Sequence, residues 1–297
     1  MSHVVGICGD LHCGSTVGLC PPEGMELDDG GLYEPSDAQQ WLWERWEEAW
    51  KEAKDTIGRR NKFTLVLNGD LIDGDHHRTA QIASPLTGIH ARCAVESLRV
   101  PLALKPSAIH VVRGTPSHVG RSGDVEEGIA RGLKQALHPV IKDPDTDTLS
   151  SYRRRIDVED VRLDIAHHGR MGQRAHTRGS YSRLYSFDIW AEQALDLIKE
   201  GNRATSPEEL HETWKAKRVA QVAIRSHNHK FQDSGYDHRG ITRVVSMPAF
   251  QLATEYVHRI AAESLADIGI VLLVCDKGDV EVKPILYSPG RSTVLKA

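Results

Sequence analysis

No stretch of the chain approaches the roughly 20 consecutive apolar residues that a membrane span needs, so a membrane-spanning protein is not expected. A charged leader is also missing. Met1-Ser2-His3-Val4-Val5-Gly6 runs directly into a strand-like apolar segment, which gives the expectation of a cytoplasmic protein with no membrane partner. Cysteine is sparse and poorly placed for cross-linking. The five present, Cys8, Cys13, Cys20, Cys93 and Cys275, are odd in number and scattered, which argues against a disulfide framework and for a reducing compartment. None forms a Cys-x-x-Cys pair, so a thiolate zinc site is not expected. Charge of one sign is not in excess either: the formal net charge of -4 carries no global signal for nucleic acid, and any basic surface must be local. Repeats and low-complexity segments are absent. The 297 residues can bury a substantial core without staples, and nothing compels a division, so a single domain over residues 1–297 is expected.

What the chain has in quantity is histidine, 16 in all, and their positions carry the reading. The apolar run Phe63-Thr64-Leu65-Val66-Leu67 reads as a buried strand that gives way at Gly69-Asp70, with Asp73 three residues on. In open α/β sheets ligands gather beyond the carboxyl ends of strands, so a carboxylate aimed out there is placed for chemistry; aspartate is equally an ordinary turn or cap residue. The same pattern recurs at His3–Asp10, where Gly9-Asp10-Leu11-His12 places Asp10 and His12 on one face, able to point at one cation or to sit as a turn Asp beside a surface His. Cys13 beside them is either a soft ligand or a small core residue. A third strand, Ser107–Arg113, ends in Gly114-Thr115-Pro116-Ser117-His118-Val119-Gly120, which makes His118 a candidate acid or electrostatic stabiliser. The hairpin of Arg153–Val158 and Val161–Ala166 around Glu159-Asp160 runs into His167-His168-Gly169. A further strand, Val219–Arg225, ends in Ser226-His227-Asn228-His229, two imidazoles two apart.

Between these lie residues 14–36, Gly- and Pro-rich without periodicity, expected as a long loop that rims the strand ends. Asp37 is expected to cap a helix through Ile57 whose four tryptophans, Trp41, Trp43, Trp46 and Trp50, are read as core packing in preference to a base-stacking platform. Helices are also expected over 85–104, 124–137, 184–200 and 207–217, and strands over 241–247, 268–275 and 280–287. The loop near 169–183 carries Arg170, Arg174, His176, Arg178 and Arg183 among glycines. It is either a solvated loop or a rim that holds a phosphate-bearing substrate, with Arg170 and Arg174 as the binding residues.

Five strand ends thus carry Asp10/His12, Asp70/Asp73, His118, His167/His168 and His227/His229. In this order they resemble the successive motifs of the calcineurin-like metallophosphoesterases, over about residues 8 to 230. Asp10-Leu11-His12, Gly69-Asp70-Leu71-Ile72-Asp73, His167-His168-Gly169 and His227-Asn228-His229 match the family's blocks closely, and Gly114–Gly120 is similar to forms found in phage and prophage proteins. The resemblance implies an α/β fold, a four-layer α/β/β/α sandwich of two mixed sheets, holding two divalent ions. One ion would take Asp10, His12 and His229, the other His167 and His227, with Asp70 bridging. It implies a phosphodiester or phosphomonoester substrate attacked by metal-bound hydroxide. Two cations need an anionic oxygen between them, and an aspartate supplies it. Asp73 is then an acceptor that orients a ligand imidazole.

The match is incomplete, and the third block departs most, with Cys13 beside His12 a lesser departure. The family's Asn ligand is missing from Gly114-Thr115-Pro116-Ser117-His118, where Thr115 or Ser117 would be a feeble replacement for it, and His118 either keeps the role of leaving-group acid, the reading preferred, or itself completes the second ion's shell. His167 is preferred to His168 as the ligand by family position, and Ser226 replaces a usual glycine. Oxygen and imidazole donors without thiolate suit Mn²⁺, the ion expected, as well as Zn²⁺, Fe or Ni²⁺. The alternatives are a DNA or RNA nuclease of the same family, with nucleic acid as partner, and a non-catalytic binding protein on a decayed site.

Overall fold

The computed structural model describes residues 2–76, 79–169, 175–217, 219–235, 242–261 and 265–290. The first half forms β1 (His3–Cys8), β2 (Met25–Glu26), β3 (Leu32–Tyr33), α1 (Asp37–Ile57), β4 (Lys62–Asn68), α2 (Thr87–Leu102), β5 (Ala108–Val112), α3 (Pro116–Val119) and α4 (Asp124–Gln135). There follow β6 (Ser150–Ser151), β7 (Arg153–Val158), β8 (Val161–Ala166), α5 (Ala175–Gly201), α6 (Pro207–Lys217) and β9 (Val222–Arg225). The chain then runs through β10 (Gln232–Asp233), β11 (Arg243–Ser246), α7 (Glu255–Ala261), β12 (Ile268–Asp276) and β13 (Asp279–Tyr287).

These elements make a mixed α/β fold with two main sheets. One is ordered β13-β12-β1-β4-β5-β6, with β1, β4, β5 and β6 parallel and β12 and β13 antiparallel at one side. The other is ordered β10-β11-β9-β8-β7, with β8, β9 and β11 parallel between antiparallel edges. Alternation along the strands decides what each face meets. Val4 and Cys8 of β1, Leu65 and Leu67 of β4, and Ile270 and Leu272 of β12 pack with Leu42, Trp46 and Ala49 of α1 and Leu98 of α2. Their neighbours Val5, Ile7, Val66, Val271 and Leu273 pack instead with Leu163, Ile165, Val222, Ile224 and Val245 of the other sheet. Ala223 and Val244, one residue out of step, meet Ile189 of α5. Strands with both faces covered read as continuous apolar runs, which is why β1, β4 and β12 are legible in the sequence.

Local chemistry sets the boundaries. The α1 cap is Ser36, not Asp37: the Ser36 hydroxyl accepts from Gln39 N, and the Gln39 side chain reaches back to the Ser36 N–H. Asp37 lies in the first turn, where a carboxylate still favours the helix dipole. Leu42, Trp46, Ala49, Trp50, Ala53 and Ile57 form the buried stripe, so the tryptophans at 46 and 50 are core, as expected. Residues 14–36 are less irregular than expected, because β2 and β3 pair there as a short ribbon. Gln39 Nε2 ties the start of that segment down by donating to Ser15 O at 3.1 Å and Gly18 O at 3.2 Å. The expected loop near 169–183 is also corrected, since α5 begins at Ala175. The helix α7 was not foreseen. No helix among the described residues is long and apolar enough to cross a membrane.

Candidate metal centre

β1, β4 and β5 run parallel in one sheet and β8 and β9 in the other, and residues that follow these five strands meet in one place. The turns are tight. Asp10, His12, Asp70, His227 and His229 all take left-handed backbone, with φ of 49°, 45°, 50°, 72° and 51°. Asp and His tolerate this region better than most side chains, yet five such residues converging in one place is strain of the kind that marks functional sites. Gly69, at φ 82°, precedes Asp70; a Cβ there would lie 2.5 Å from His167 Nδ1.

Asp10, His12 and His229 form the first group. His229 Nε2 stands 3.2 Å from His12 Nε2 and 3.3 Å from Asp10 Oδ1, and His12 Nε2 is 3.9 Å from that oxygen. Donors held about 2.1 Å from one cation are about 3.0–3.4 Å apart at angles of 90–109°, so two of these spacings suit a shared ion. Asp10 is fully buried, and its Oδ1 has no aligned hydrogen-bond donor among the described residues. A buried carboxylate oxygen facing imidazole nitrogens suits a cation shared among them. The donor set therefore fits a divalent ion.

Asp70 lies between this group and a second one. Its Oδ2 is 2.9 Å from His167 Nε2, and Asp10, Asp70 and His167 offer donor atoms within 4.8 Å of one another. His167, His168 and His227 form the second group. Two of these imidazoles are aimed by a hydrogen bond on the other ring nitrogen: His12 Nδ1 donates to Asp73 Oδ1 at 2.9 Å, and His167 Nδ1 donates to Asn68 O at 2.7 Å. Asp73 Oδ1 is held in turn by Gln251 Nε2 at 3.3 Å.

The charges are arranged to be displaced by cations. Burial works against ionisation of Asp10, Asp70 and Asp73, but neighbouring imidazoles, His167 for the first two and His12 for the third, hold all three below the ordinary carboxylate range. Burial likewise works against charge on His167, but Asp70 and Asp10 push it up to about 10; Asp73 raises His12 in the same way. In ion-free protein at neutral pH, a proton on His167 therefore occupies a nitrogen that an ion needs. Ion binding must release it. The expected result is proton release on titration with a divalent ion, and an affinity that climbs as pH rises from 6 toward 9; calorimetry in buffers of different ionisation enthalpy measures it.

His118 sits in α3 on the first group's side. Its Nδ1 donates to Asp73 O at 2.6 Å, and its ring centroid is 4.7 Å from that of His12. No second-group residue is among its ring or hydrogen-bond partners. Burial and then the His12 charge bring it down to about 4, so its ring is neutral near pH 7. The position near the second group belongs to Thr115, whose Oγ1 donates to Asp70 Oδ2 at 2.9 Å and whose N–H donates to Asp70 Oδ1 at 2.6 Å. From the sequence Thr115 reads only as a feeble replacement for the family's Asn, and Asn68, Glu126 and Gln251 carry no motif and were missed. Glu126 is fully buried and accepts from Gly114 N at 2.6 Å and Leu71 N at 3.3 Å, fastening the second and third turns together. Burial and the Asp70 charge raise it to about 8. Arg170 and Arg174 lie outside the described residues.

Gly114 lets the third turn approach Asp70, since a Cβ would fall 2.1 Å from Asp70 Oδ1 and 2.3 Å from Asp70 N. Gly114→Ala is expected to push Asp70 out of place, at about 1–3 kcal/mol in stability and with weakened ion binding. Thermal unfolding and ion content per chain check it.

Fold and site together define a mixed α/β protein whose strand ends gather aspartate and histidine clusters that could hold metal ions. No family model matches the chain, and no curated protein does. Among solved structures it is similar to Vacuolar Protein Sorting 29 from Cryptosporidium parvum, at 11% identity over 97% of this chain and 99% of that one, with a TM-score of 0.34. A likeness of that size carries no argument about function.

Proposed function

We propose that this chain is a dinuclear metal-dependent phosphoesterase of the calcineurin-like class, one domain over residues 1–297 folded as a four-layer α/β/β/α sandwich. The observation that carries the reading is the convergence of Asp70 and the three imidazoles of His12, His167 and His229 on Asp10 Oδ1, a buried oxygen with no aligned donor among the described residues. Asp10, His12 and His229 would hold one ion, His167 and His227 the other, with Asp70 between them. When bound, such ions lower the pKa of a coordinated water and take charge from phosphoryl oxygens. Mn²⁺ is the ion proposed, and a phosphodiester or phosphomonoester the substrate.

The chain's own residues orient and move protons. Asp73 keeps the His12 ring turned with Nε2 forward, and the Asn68 carbonyl does the same for His167. His118, its Nδ1–H committed to the Asp73 carbonyl, has Nε2 left to exchange a proton with a leaving oxygen. Its low proton affinity in the free protein means that an anionic substrate must raise it before it can serve as an acid.

Protein purified without chelators is expected to carry two ions per chain and, supplied with Mn²⁺, to hydrolyse a chromogenic diester or monoester. Ion-free protein with no turnover on either substrate rejects the reading. Activity on DNA that falls steeply with salt would identify the substrate as nucleic acid. His118→Ala should lower kcat by about 10²–10⁴-fold with both ions retained; loss of an ion would make His118 a ligand.

A further inference from the structure

The two groups of donors differ in chemistry. The first has a carboxylate of its own, Asp10, with His12 and His229. The second is three imidazoles, and its one carboxylate, Asp70, is shared. His168 is the unexpected member. Consecutive residues of a strand point to opposite faces, yet the Nε2 atoms of His167 and His168 reach the same place, because β8 ends at Ala166 and the chain turns there. The rings of His167 and His168 are 4.9 Å apart and nearly perpendicular at 79°, and those of His168 and His227 are 4.8 Å apart.

Thr115 Oγ1 marks the focus. It stands 3.3 Å from His167 Nε2, 3.2 Å from His168 Nε2, 3.1 Å from His227 Nδ1 and 2.9 Å from Asp70 Oδ2. Those four separations match the spacing of about 3 Å between neighbouring donors on one ion. The hydroxyl has a single proton. If it goes to Asp70, none is left for three nitrogens that face the same point.

Resting on the dinuclear reading above, we propose that His168 is a direct ligand of the second ion. That ion is then held by His167, His168, His227 and the shared Asp70, with the Thr115 hydroxyl alongside. Imidazole suits zinc, iron and nickel, whereas carboxylate, carbonyl and water suit magnesium and calcium. The second pocket therefore selects a nitrogen-preferring transition ion and rejects Mg²⁺ and Ca²⁺. The first, with its own carboxylate, accepts Mn²⁺.

The test uses the full chain, stripped with chelator and reloaded with Zn²⁺, Mn²⁺ or Mg²⁺ alone, with affinity and ions per chain as readouts. His168 is exposed, so His168→Ala should leave the core intact, and circular dichroism checks this. Losing a hydrogen-bond partner of a ligand weakens metal binding by about 10–100-fold, so losing the ligand itself should cost the second Zn²⁺ at least about 100-fold while the first remains. Wild-type protein loaded with Co²⁺ provides a second readout: its visible spectrum should change on His168→Ala and not on Lys230→Ala. Wild-type Zn²⁺ affinity in His168→Ala, or Mg²⁺ binding as tight as Zn²⁺ at the second site, overturns this inference alone. Wild-type protein that binds no ion overturns the dinuclear reading with it.

Discussion

Asp70→Asn is expected to lower turnover by at least about 10³-fold, some 4 kcal/mol in the barrier, and to strip at least one ion from each chain. Asparagine has the shape of aspartate and tolerates the left-handed backbone that Asp70 adopts at φ 50°. It can still accept from Thr115 N, so the turn survives. What it lacks is charge. Two divalent cations about 4 Å apart repel by on the order of 15 kcal/mol at an effective dielectric near 20, and in the dinuclear reading proposed the Asp70 carboxylate would offset that repulsion. In ion-free protein the loss is milder, because His167 sheds the proton that Asp70 holds on it. The melting temperature without metal should move by only a few degrees. Calorimetric unfolding, elemental analysis and a diester assay on the same preparation separate the effects, and full activity in the variant would remove Asp70 from its bridging role.

The largest expected loss of stability lies just beneath the site. Asp164 of β8 is fully buried and binds Arg225 of β9, which is nearly so, with Arg225 Nη2 3.1 Å from Asp164 Oδ1. Arg225 Nη1 also donates to Asp164 O at 2.9 Å, Gln193 Nε2 donates to Asp164 Oδ2 at 3.1 Å, and Arg153 pairs with the same carboxylate. Asp164→Ala leaves a buried guanidinium uncompensated, at about 3–5 kcal/mol. For a chain of this size that is a fall of roughly 5–8 °C in melting temperature. Three residues after Asp164 comes His167, and two after Arg225 comes His227, so the same substitution should loosen the second donor group. Burial opposes the Asp164 charge, but Arg153 and Arg225 keep its proton affinity below the ordinary value. A depressed folded-state pKa contributes stability that is present above the unfolded value of about 4 and is lost as pH falls through the folded one. Wild-type protein should thus lose this contribution only in acid, and Asp164→Ala should flatten that part of the stability profile.

From the sequence Asp73 is an acceptor that orients an imidazole, and its carboxylate meets His12 Nδ1 at 2.9 Å. The position of His118 after β5 made it a candidate for either role, and only the packing of α3 brings it beside His12 and Asp73 instead of beside His167. The preference for His167 over His168 rests on family position, and in three dimensions the Nε2 atoms of both lie near Thr115 Oγ1. Thr115, Asn68 and Glu126 contribute through backbone approach and hydrogen bonds across turns, which leave no periodicity to read.

By itself the sequence determined which strands are buried and which turns carry Asp and His, since apolar alternation and Gly-Asp punctuation are local properties of the chain. The tertiary structure alone decided which of those side chains share a focus. That depends on how two sheets sit face to face and how five strained turns nest against one another, and no spacing along the chain encodes a distance between strands separated by a hundred residues.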